Sequence, residues 1–128
     1  MKKLLLSAII LSLFSISGFA QISHDLEIFS EDGLHFTLIV NGEKINETPR
    51  SSVKIYDTEN DYVQALIIFE DKKIPDIKKK FLQIAAPGTE DKRPVSTVYK
   101  IAEKKGVYKL KFISRSNKKI QPKIIIIE

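Results

Sequence analysis

The stretch from Leu34 to Arg50 most constrains what this chain can fold into. Leu34, Phe36, Leu38 and Val40 recur at every second position, the period of a half-buried strand. Asn41-Gly42 follows, the dipeptide that most readily takes the positive φ angles of a tight hairpin turn. Thr48-Pro49 then ends the pairing, because proline has no N–H to donate to a ladder. A chain cut this way is built from short strands.

The same rhythm runs on. Strands are predicted at His24–Ser30, Leu34–Val40, Ser52–Asp57, Tyr62–Glu70, Lys80–Ala86, Val95–Ala102, Val107–Ser114 and Ile120–Glu128, with a weak edge segment at Glu43–Glu47. Val63, Ala65, Ile67 and Phe69 fill one face of Tyr62–Glu70, and Leu66 and Ile68 sit on the other, as in a central strand. Asp71–Lys80, with Pro75, reads as the crossover between two sheets, with room for a helical turn capped by Asp76. No mature segment carries a helical period. The fold class expected is all-β: an immunoglobulin-like β-sandwich of about seven or eight antiparallel strands, with a small up-and-down barrel as the alternative.

The first residues are of another kind. Met1-Lys2-Lys3 precedes an apolar run from Leu4 to Phe19, and Gly18-Phe19-Ala20 places small residues where a signal peptidase reads. Residues 1–20 are expected to be a signal peptide cleaved before Gln21, leaving 21–128 as a single sandwich domain. Ser7, Ser12, Ser15 and Ser17 interrupt the run, which is shorter than the ~20 residues of a spanning helix. The chain has no cysteine, so neither a lipoprotein anchor nor a disulfide is open to it. Losing Lys2 and Lys3 lowers the formal charge from +5 to +3, which is mildly basic and not the signature of a polyanion binder, and no nucleic-acid partner is expected of an exported chain. The destination expected is the periplasm, the outer surface or the medium.

Leu26-Glu27-Ile28-Phe29-Ser30-Glu31-Asp32-Gly33, Phe36-Thr37-Leu38-Ile39-Val40-Asn41-Gly42, Thr48-Pro49 and the run from Ile67 to Ile77 carry a family likeness. Together they resemble the N-terminal β domain of small exported proteins from Bacteroidetes-type bacteria. Val40-Asn41-Gly42 with Thr48-Pro49 is also similar to PEGA-like surface β-sandwich modules. That module's glycine before Thr-Pro and its Gly-x-Tyr are missing here. Neither resemblance implies a catalytic residue or a cofactor.

Candidate chemistry is sparse. The two histidines are His24 and His35. A hairpin through Glu31–Gly33 would set His24 opposite Asn41 or Val40 and His35 opposite Ser30 or Phe29, so the two would not meet. His35 is out of phase with Leu34 and Phe36 and reads as a solvated surface residue. Asp57, Glu59, Asn60 and Asp61 form one acidic turn, and Glu70, Asp71 and Asp76 flank another. Both lack the sharp-turn glycine of a calcium loop. No Gly-x-Ser-x-Gly elbow is present. The expectation is a non-enzyme with no catalytic, cofactor-binding or metal residues.

The lysine runs Lys72-Lys73, Lys78-Lys79-Lys80, Lys104-Lys105 and Lys118-Lys119 read as solubilising and edge-protecting residues. Their functional alternative is a patch for anionic envelope lipid or polysaccharide. Ile124–Ile127 is apolar on both faces and needs burial, in its own sheet or against a partner. The function expected is contact, with an unknown envelope protein, a surface glycan or a copy of itself. The alternative is a small carrier of an apolar or anionic envelope ligand.

Overall fold

The computed structural model describes residues 22–86 and 93–118. They form eight strands and no helix: β1 His24–Ser30, β2 Phe36–Val40, β3 Glu43–Lys44, β4 Ser52–Thr58, β5 Tyr62–Phe69, β6 Ile77–Gln83, β7 Val95–Lys104 and β8 Val107–Asn117. The first sheet has the order β4-β1-β7-β8 and the second β3-β2-β5-β6. The fold is the β-sandwich expected, and the two sheets do not close into a barrel. One pair departs from the antiparallel expectation: β1 and β7 run parallel, from Asp25 beside Ser96 to Ser30 beside Ile101.

Alternation in each strand builds the core. Leu26, Ile28, Val53, Tyr99 and Ile101 of the first sheet face Phe36, Leu38, Val63, Ala65, Ile67 and Phe69 of the second. Each of these side chains is buried, and complete burial of one aliphatic or aromatic side chain stabilises by about 1.5–3 kcal/mol. The Phe69 and Tyr108 rings meet across the layers at 5.6 Å. As expected, β5 is central, between β2 and β6.

The turns follow local chemistry. Asn41 and Gly42 take φ of 51° and 81° in the β2–β3 hairpin, and Lys105 and Gly106 take 54° and 80° in the β7–β8 hairpin. Beyond β3 the edge of β2 stays paired through a side chain. The Leu38 N–H donates to Asn46 Oδ1 at 2.8 Å, and Asn46 Nδ2 donates to the Phe36 and Thr48 carbonyls, each at 2.9 Å. Arg50 then bridges Phe36.

Three local expectations are corrected. Glu31–Gly33 does not make a hairpin: β1 and β2 lie in different sheets, so their apolar faces meet across the core, and His24 is opposite Thr58 of β4. Residues 70–76 do not cross between sheets or form a helical turn. They join β5 to its neighbour β6, with Asp71 Oδ1 accepting from the Lys73 N–H at 3.0 Å. β6 begins at Ile77 and not at Lys80, because Ile77 pairs with Ile67 and is buried. A bulge facing Val63–Ala65 then shifts the phase, returning Leu82 to the core and leaving Phe81 82% exposed. The expected signal peptide at residues 1–20, residues 87–92 and the expected strand Ile120–Glu128 lie outside the described residues.

Candidate functional site

At one end of the sandwich, polar side chains fasten the sheets together. His24 opens β1 and is only 3% exposed, not solvated. Its Nδ1 accepts from the Val95 N–H at 3.0 Å, which makes the ring neutral with its proton on Nε2. Nε2 lies 3.7 Å from Asp61 Oδ1. Beside it, three side chains of β7 and β8 hold the carbonyls at the end of β6. Thr97 Oγ1 donates to the Ile84 carbonyl at 2.6 Å, and Tyr99 Oη donates to that of Gln83 at 2.5 Å. Arg115 donates to both, from Nε at 2.9 Å and from Nη2 at 3.2 Å. Burial pushes the Tyr99 phenol up, against the pull of the Arg115 charge, and favours the donating form.

A second cluster ties β1, β4 and the end of β8. Asp25 sits opposite a bulge in β4, where its Oδ1 accepts from the Asp57 N–H and from Lys118 Nζ, both at 3.1 Å. Lys118 Nζ also bonds Asp57, whose φ is 57°. Hydrogen bonds from Lys118 and Ser23 hold the Asp57 carboxyl below its ordinary range, and the Asp57 bond raises Lys118. Lys118 is therefore a structural cation, not a solubilising one. The acidic turn after β4 does not converge on one point: Asp57 turns to Lys118, and Asp61 to His24. Among the described residues, no three His, Asp or Glu side chains are grouped to hold a metal.

A groove of about 400 Å3 lies beside the β1–β2 turn, lined by Gly33, Leu34, His35, Phe69, Glu70 and Asp71. His35 points outward as expected, 3.4 Å from Glu70 Oε2, with both side chains more than half exposed. A histidine–carboxylate pair can serve a general base, but hydrolysis by an enzyme nucleophile needs that nucleophile within reach of it. The groove lining includes no serine, threonine or cysteine. Nearby Ser30 is buried, with Oγ accepting from the Leu34 N–H.

The outer face of the first sheet is cationic. The bonded rows place Phe29 beside Lys100 and Lys100 beside Lys111, then Ala102 beside Lys109 and Lys104 beside Val107. Lys100 pairs with Glu31 at 3.0 Å. Ala102, Lys104, Lys105, Val107, Lys109 and Lys111 line a groove of about 360 Å3. Sequence runs reveal Lys104-Lys105, but the Lys100–Lys111 rung appears only when β7 and β8 are placed side by side.

Sequence reasoning missed Asn46, Arg115 and the role of Lys118. Their partners are distant in the chain, and a bulge between Val98 and Tyr99 hides the phase of Arg115. No helix among the described residues is long and apolar enough to cross a membrane. No protein-family model matches the chain, and no curated protein or solved structure shows significant similarity to it.

Proposed function

We propose that this chain is an exported, non-catalytic β-sandwich that acts by contact in a bacterial envelope, with an envelope protein or a surface glycan as partner. One observation carries the reading: the unevenness of the polar side chains. Those at the interior end, His24, Thr97, Tyr99 and Arg115, are engaged in bonds that close the fold. The outer face of the first sheet instead offers exposed cations around a groove. The Met1–Ala20 leader and the resemblance to exported β domains support the location.

The carrier alternative is favoured only in its anionic form, by the same lysines. An apolar carrier needs an enclosed interior, and two open sheets around Phe36, Leu38, Ile67 and Phe69 offer less support for one.

Export is tested by intact mass. Protein recovered from periplasm or medium should begin at Gln21, and a cytosolic chain retaining Met1 would overturn the location. Hydrolytic turnover abolished by His35→Ala would overturn the non-catalytic reading.

A further inference from the structure

We propose that the outer face of the first sheet binds a linear acidic polysaccharide along Lys104, Lys105, Lys109 and Lys111; this rests on the contact reading above. Lys100 and Lys111 are direct cross-strand neighbours on β7 and β8. Like charges at such a position destabilise a sheet, so the fold does not ask for this rung. Lys109 lies two residues from Lys111 on the same face, about 7 Å along the strand. Lys104 and Lys105 continue the stripe to the hairpin turn. Ala102, opposite Lys109 and 3% exposed, is the small floor that leaves a trough between the long side chains.

Among the described residues, Lys100 has a carboxylate partner in Glu31, whereas Lys104, Lys105, Lys109 and Lys111 have none within ion-pair distance. Glu103 is in phase with Tyr108 on the opposite face, and its Oε1 accepts from the Gly106 N–H at 3.1 Å. Burial, then Glu103, Asp32 and Asp71, push the Tyr108 phenol up, so the acids act on that other face. Near its turn, the β7–β8 hairpin thus carries its charges segregated by sign between the two faces.

The arrangement fits a polymer better than a bilayer. The cations follow one strand within a groove, and Val107 is the exposed large apolar residue at the tip. Ammonium groups are compact point charges, suited to successive carboxylates without bidentate geometry. Phe29, half-buried in the row of Lys100 and Lys111, adds a flat apolar surface for a sugar ring.

The test titrates the exported protein with oligogalacturonate, a linear polycarboxylate, following backbone amide shifts and affinity. A neutral linear glucan oligomer and anionic phosphatidylglycerol vesicles are titrated in parallel. Shifts are expected at residues 100–111, with affinity falling as salt is added. K109E/K111E should weaken binding at least tenfold. K72E/K73E makes the same change in net charge in the β5–β6 turn and should weaken it less than twofold. K109E/K111E should melt no lower than the parent, because it removes the like-charge rung; K109A/K111A gives the same readout without charge reversal. Equal loss in both charge-reversed variants, equal binding of the neutral glucan, or binding of vesicles with none of oligogalacturonate would overturn the proposal. If oligogalacturonate fails while the protein still adheres to washed envelopes, this ligand class is wrong and the contact reading stands. If both fail, both fall.

Discussion

Asn46 stands where a strand would otherwise supply two backbone groups. Its side chain satisfies the Leu38 N–H and the Phe36 carbonyl, both buried at the edge of β2. Asn46→Ala leaves the Leu38 N–H unpaired, while the Phe36 carbonyl keeps the Arg50 N–H at 3.0 Å, and should destabilise by about 1–3 kcal/mol in urea unfolding, the cost of one orphaned buried group. Lys118 makes a pH prediction. The folded Asp57 carboxyl lies below its ordinary 3.8, so its contribution is present above that pH and is lost as pH falls through the folded value. Lys118 lies above its ordinary 10.5, so its contribution is present below that pH and is lost as pH rises through the folded value. Melting temperatures of Lys118→Met and the parent should therefore differ most between those limits and converge below pH 3.8 and above 10.5. Added salt should shrink the difference, because Asp57 is largely exposed. Neither role was legible in the sequence. Asn46 lay in a segment read as a weak polar edge, and Lys118 in one read as a basic turn.

The strands were legible because alternation is a local signal. β1 spans His24–Ser30 as expected, and the core phase of β2 and β5 holds residue by residue. The expectation fails at the start of β6, where Ile77 is followed by three lysines, and where a turn admits two geometries, as at Glu31–Gly33. Between elements, the bonds from β7 and β8 to the end of β6 overlap by design: the Ile84 carbonyl accepts from Thr97 and from Arg115. Thr97→Val or Arg115→Met alone leaves that carbonyl one partner. The double variant leaves it none, so its loss should exceed the sum of the singles, with a coupling of about 0.5–3 kcal/mol in a double-mutant cycle. Arg115→Lys should recover little, because an ammonium cannot reproduce the fork to Ile84 and Gln83.

For the whole molecule, composition and period lead to an all-β sandwich, but which strands pair is a long-range fact. The parallel β1–β7 pair joins segments about seventy residues apart and leaves no local trace. It also positions Lys100 beside Phe29 and, through β8, Lys111, and so assembles the cationic face that the runs of lysine did not predict. The role proposed for the molecule is contact with the envelope through this face. Co-sedimentation with washed envelopes of the cell of origin tests it most directly, comparing the parent, K109E/K111E and K72E/K73E. The parent and K72E/K73E should pellet with the envelope and be released by added oligogalacturonate, while K109E/K111E stays in the supernatant. Three proteins that pellet alike, or none that pellets, would contradict it.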